Sequence, residues 1–121
     1  MEIINLEGTE ETPKVILDKA NGIFEISGRS LPEDVSAFYG KVLKWLDEYA
    51  AAPNPETTFI FKLEYFNTAS SKIILDLLSK LEGLANAKIH WYHHDDDEDM
   101  EEAGKEFQEI VDGVPFEFKT Y

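Results

Sequence analysis

At 121 residues, 43% of them hydrophobic, the chain has the length of one domain and enough apolar residues for a buried core. Twenty-five acidic residues against 11 basic ones give a formal net charge of −14, and no basic patch offsets it, so nucleic acid and anionic membrane are poor partners. The absence of cysteine excludes disulfides, thiolate metal sites and thiol nucleophiles, and the lack of a leader signature or a long apolar run points to a cytoplasmic protein.

A further strand is possible at Ile3 to Leu6. Residues 14–18 and 23–27 are β-prone runs separated by Lys-Ala-Asn-Gly, whose Asn21-Gly22 step is a strong turn signal, so a hairpin is expected. Pro32 suits the first position of a helix, and Glu33 and Asp34 lie where the helix dipole favours negative charge. The first helix should begin at Pro32 or Glu33, bury Val35, Phe38, Tyr39, Val42, Leu46 and Tyr49 as one stripe, and end at Pro53-Asn54-Pro55. From Thr57 to Phe66, Phe59, Phe61, Leu63 and Tyr65 alternate with more polar residues, so this strand should bury only one face. That pattern argues against a doubly wound sheet covered on both sides. Ile73, Ile74, Leu77, Leu78, Leu81 and Leu84 mark a second helix from about Thr68 to Leu84. Lys88 to His93 reads as a strand. Met100, Ala103, Phe107 and Ile110 space a third helix ended by Asp112-Gly113 and Pro115, and Phe116 and Phe118 belong to a last strand. The whole, residues 1–121, reads as a single α/β domain with a mixed sheet and helices mainly on one face.

Two polar clusters stand out. Asn67, Thr68, Ser70 and Ser71 lie between an apolar strand and an apolar helix, where Asn67 or Thr68 can cap the helix. A hydroxyl held there is also a favourable home for a phosphate, because free amides and the helix dipole accommodate its charge. Ser70 and Ser71 compete with Thr68 as acceptors, since all lie in one turn. The second cluster, His90, His93 and His94 followed by Asp95, Asp96, Asp97, Glu98 and Asp99, has metal-ligand residue types and supports an alternative reading as a metal-binding protein or metal-dependent enzyme. Against it, His90 and His93 would face opposite sides of a strand, and the acidic run lacks the glycine and terminal glutamate of a calcium loop. Asp97 to Glu102 better suit the first turn of a helix. No glycine-rich phosphate loop and no nucleophile elbow is present, so no catalytic residue and no cofactor is expected. The surplus of acid serves solubility, or a basic protein partner.

The element order, with a hydroxyl residue directly after the long central strand, resembles the STAS fold of anti-sigma-factor antagonists. More closely, the chain resembles the SiaC family of regulatory phosphoproteins, through Leu63-Glu64-Tyr65-Phe66-Asn67-Thr68-Ala69-Ser70-Ser71-Lys72, Pro32-Glu33 ahead of Val42 to Trp45, and Trp91-Tyr92. The resemblance implies a non-enzymatic protein phosphorylated at Thr68 by a dedicated protein kinase and dephosphorylated by a PP2C-type phosphatase. It implies that the unphosphorylated form binds a target such as a diguanylate cyclase, with Asn67, Ser70, Ser71, Lys72, Pro32 and Glu33 around the site. An unswitched adaptor, with Thr68 merely a helix cap, is the plainer alternative.

Overall fold

Alternating strands with one apolar face need a cover, and amphipathic helices supply it. The computed structural model describes residues 1–121. Its elements are β1 (Ile4–Leu6), β2 (Lys14–Asp18), β3 (Ile23–Ser30), α1 (Val35–Ala51), β4 (Thr57–Phe66), α2 (Thr68–Glu82), β5 (Ala87–His93), α3 (Glu98–Ile110) and β6 (Phe116–Thr120). The six strands form one mixed sheet in sequence order: β1, β2 and β3 pair antiparallel, while β3 through β6 run parallel. Each parallel step is a strand–helix–strand crossover. Because right-handed crossovers that always advance in one direction put their helices on the same side, α1, α2 and α3 share one face. The buried residues agree, since Val15, Leu17, Phe24, Ile26, Phe59, Phe61, Leu63, Ile89 and Trp91 join the helices' buried residues in one cluster of 23. The other face carries Glu25, Lys62, Lys88 and Tyr92, so the mixed sheet covered on one side is as expected.

The hairpin turn forms where expected: Asn21 donates to both oxygens of the Asp18 carboxylate, and Gly22 adopts a φ of 66°. The first helix differs from expectation at its start. Asp34 is the N-cap, its carboxylate accepting the Ala37 amide at 3.0 Å, so Pro32 and Glu33 lie outside α1 and no acid occupies its first turn. Pro32 is instead buried in the connection leaving β3, while Glu33 is exposed. Trp45 joins the buried stripe of α1, and its indole donates to the Glu2 carbonyl, which ties β1's approach to the helix. In α3 the expected negative first turn is present, with Asp97 as N-cap and Glu98, Asp99 and Glu101 following. Burial of each large side chain such as Phe59, Phe61 or Trp91 contributes about 1.5–3 kcal/mol before chain entropy is counted.

Candidate functional site

A bulge in β4 builds the site. The register against β3 steps from Gly28↔Leu63 to Arg29↔Tyr65, leaving Glu64 as an extra residue, with Gly28 at a φ of 97° that favours glycine. Alternation therefore slips by one. Tyr65, expected inside, is 47% exposed, and Phe66 takes the inward place, 6.1 Å from Phe107 and 6.5 Å from Trp91 between ring centroids.

The chain then turns directly into α2. Asn67 is the cap: its amide donates to the Ser30 carbonyl, and its side-chain oxygen accepts the Ser70 amide at 2.8 Å. Thr68 is the first helical residue and is exposed, and its side chain makes no protein hydrogen bond. The other two hydroxyls of the turn are engaged. Ser71 Oγ donates to the Thr68 carbonyl at 2.7 Å, and Ser70, fully buried, donates from Oγ to the Ser30 carbonyl at 2.9 Å. Ser70 is thereby removed as a competing phosphate acceptor, since no kinase can reach a side chain with no exposed surface. The amides of Thr68 and Ala69, at the first two helical positions, have no carbonyl of their own helix within reach. Lys72, exposed one turn along α2, is the nearest cation in sequence.

Thr68 stands on the wall of a groove of about 310 Å³ lined by Phe66, Asn67, Ser71, Ala103, Phe107 and Ile110 as well as Glu106. Ile110, one of the apolar residues that space the third helix, is 61% exposed, because the last turn of α3 borders this groove. A second hollow continues past Phe66 and Ala103 to Glu64, Asp97 and Asp99. The result is an apolar floor with an acidic rim, located beyond the carboxyl end of the central parallel strand β4.

The histidines do not converge. His93 faces the core with its Nδ1 unpartnered; His90, on the opposite face, has Nε2 2.6 Å from Glu117 Oε2 though outside hydrogen-bonding geometry. His94 stacks on Tyr121 with ring centroids 4.2 Å apart. No three His, Asp or Glu side chains are grouped to hold an ion, so the metal reading finds no ligand set in this fold.

The chain matches the SiaC family of regulatory phosphoproteins over residues 6–121. It belongs to that family. An uncharacterised protein of Pseudomonas aeruginosa strain UCBPP-PA14 is 28% identical over 125 residues, covering 100% of this chain and 98% of that protein. The crystal structure of apo-SiaC from Pseudomonas aeruginosa is 28% identical with a TM-score of 0.87, covering 98% of this chain and 99% of that one. SiaC in the crystal structure of the diguanylate cyclase SiaD with its activator SiaC, from the same organism, is 27% identical with a TM-score of 0.90 over the same shares.

Within this SiaC-family chain, the structure brings Asn67, Thr68, Ser70 and Ser71 into one turn and leaves Lys72 beside it. Pro32 and Glu33 leave β3 next to that turn, because Ser30, two residues before Pro32, holds both Asn67 and Ser70. Two residues of the site escaped the sequence reading. Ser30 and Tyr39 are buried, with Ser30 Oγ 2.6 Å from Tyr39 OH and 2.9 Å from Ser70 Oγ. Burial pushes the Tyr39 phenol up to about 12, against a smaller opposing effect of its bond to Ser30, so it stays protonated. Burial, with Glu64 and Asp97 nearby, also raises the Tyr121 phenol. The only signal for Ser30 in the sequence was a polar residue at the end of an apolar strand. Tyr39 looked like any member of a helical stripe. No helix is long and apolar enough to cross a membrane.

Proposed function

We propose that this chain is a non-enzymatic regulator switched by reversible phosphorylation of Thr68, and that its unphosphorylated form binds a signalling target such as a diguanylate cyclase. A protein kinase and a PP2C-type phosphatase set the phosphorylation state. The observation that carries the proposal is the state of the Thr68 hydroxyl: exposed, unbonded, at the positive end of α2 and on the wall of an apolar groove. The complex of SiaD with its activator SiaC, a protein of the same family and fold, supports a cyclase as the class of target.

The physical chemistry gives the switch its direction. A phosphate on Thr68 adds roughly two negative charges, which the two free amides, the helix dipole and Lys72 can accommodate. The helix therefore survives the modification. The groove changes instead, because a hydrated dianion now borders Phe66, Ala103 and Phe107 beside the carboxylate of Glu106. An apolar anchor entering the groove would have to strip water from that dianion, which is costly. Phosphate thus opposes docking while leaving the fold intact.

Incubation with the cognate protein kinase, followed by intact-mass and peptide mapping, tests the site. One phosphate on Thr68, removed by the PP2C-type phosphatase, is the expected result. A phosphate found only on another residue overturns the assignment, and a large loss of helicity on phosphorylation overturns the account of how the helix holds it.

A further inference from the structure

We infer that Tyr39, Ser30 and Ser70 form a directed hydroxyl chain that positions the first turn of α2, so that Thr68 alone offers a free hydroxyl. The inference deepens the phosphoswitch reading of Thr68 and rests on it for its functional consequence.

The direction of the chain follows from counting protons. Ser70 has one hydroxyl proton, and it points to the Ser30 carbonyl at 2.9 Å. Ser70 Oγ is then the acceptor in its 2.9 Å contact with Ser30 Oγ, which uses the only hydroxyl proton of Ser30. Ser30 Oγ must therefore accept at its 2.6 Å contact with Tyr39, and the phenol donates. A phenol that remains protonated far above neutrality can hold that role throughout the physiological range. The order is Tyr39 OH to Ser30 Oγ, Ser30 Oγ to Ser70 Oγ, and Ser70 Oγ to the Ser30 carbonyl. All three side chains are fully buried, so water cannot substitute for a missing member.

The chain spans three elements. Tyr39 belongs to α1, Ser30 ends β3, and Ser70 is the third residue of α2, so the turn bearing Thr68 is bonded to both neighbours on that side. The Ser30 carbonyl also accepts the Asn67 amide at 3.1 Å, and Asn67 in turn caps Ser70. Asn67 and Ser70 therefore flank Thr68 with bonds to a single residue. Thr68 is held outward between them, while Ser70 is fixed inward and Ser71 is occupied by its own bond to the Thr68 carbonyl. Choice among three neighbouring hydroxyls is thus decided by which are already bonded. Tyr39 and Ser70 do not bond each other, so any energetic coupling between them must pass through Ser30.

Amide hydrogen exchange on the wild-type chain, Tyr39→Phe, Ser70→Ala and the double variant tests the positioning without any kinase. Each single change should speed exchange at Asn67, Ser70 and Ser71 by about fivefold beyond any global change, the effect of one hydrogen bond. The α2 amides from Leu77 to Leu81 should follow global stability alone. The double variant should fall short of the product of the two single effects, because either change breaks the same chain. Equal acceleration along the whole of α2, or effects that multiply fully, would overturn the inference and leave three independent core hydroxyls. In a parallel kinase assay, Tyr39→Phe should raise the KM for phosphorylation of Thr68 and allow phosphate on Ser70 or Ser71. Unchanged kinetics and unchanged site choice would refute the specificity role. Should the wild-type chain itself take no phosphate at Thr68, the switch reading fails while the exchange data still judge the chain of bonds.

Discussion

Replacing Gly104 with alanine sets two physical effects against each other with opposite signs. Helix propensity alone makes Gly104→Ala stabilising by about 1 kcal/mol in the interior of α3. Packing says the reverse. A Cβ at this position would lie 2.5 Å from Trp91 Cδ1, 2.6 Å from Trp91 Nε1 and 2.8 Å from Phe118 Cε1. Ordinary contact needs about 3.5 Å, so α3 must lift by about 1 Å or the indole must turn. Overpacking of this kind costs about 1–3 kcal/mol. Trp91 Nε1 also donates to the Met100 carbonyl at 3.0 Å inside the core, and losing that buried bond adds about 1 kcal/mol or more. The net expectation is destabilisation by about 2 kcal/mol, a fall of roughly 8 °C in Tm for a domain of this size. Thermal and urea denaturation followed by circular dichroism measure it, and a shift in tryptophan emission should accompany the change at Trp91. A variant as stable as the parent, or more stable, would refute the close-packing of α3 on β5. The consequence reaches the site, because Ala103 and Phe107 flank Gly104 and line the groove beside Thr68.

The capping assignment separates neighbouring residues: Asn67→Ala should cost about 1 kcal/mol, near 4 °C in Tm. Thr68→Ala should stay within about 0.5 kcal/mol of the parent, and equal losses in both would restore Thr68 to the capping role of an unswitched adaptor. Tyr39 makes stability fall at alkaline pH. Its folded value of about 12 exceeds the ordinary tyrosine value of 10.0, so the unfolded chain loses this proton first. The Tyr39 contribution is intact below pH 10 and declines by about 2 kcal/mol as pH rises to 12, a loss that Tyr39→Phe should lack in urea titrations compared pairwise. Zinc tests the histidines: with His90 and His93 on opposite faces, equimolar zinc should leave Tm unchanged, and a rise of several degrees would revive a metal site.

Much of the fold was legible because burial imposes a period. The alternation at Phe59, Phe61 and Leu63 and the helical spacing at Ile74, Leu77, Leu78 and Leu81 each point to one buried face, and each face is found buried. Helix starts were legible to within a residue for the same local reason: of the two candidate caps Asn67 and Thr68 it is Asn67 that caps α2, and Asp97, expected in the first turn of α3, is its cap. What escaped depends on partners far along the chain. The slip that exchanges Tyr65 for Phe66 requires β3 alongside β4, and nothing within residues 57–66 encodes it. Ser30 and Ser70 are 40 residues apart, so their bond, and with it the unsuitability of Ser70 as an acceptor, cannot be read locally. Pro32 looked like a helix start because proline suits that position, yet burial beside the strand exit leaves the start to Asp34.

The most direct measurement of the central claim is calorimetric titration of a diguanylate cyclase partner with the unmodified chain and with the chain phosphorylated stoichiometrically on Thr68, read together with cyclic-di-GMP synthesis. The unmodified chain should bind and raise synthesis. The phosphorylated chain, with its helicity unchanged, should bind at least tenfold more weakly, a penalty of about 1.4 kcal/mol or more. Equal affinity and equal activation by the two forms would contradict the account.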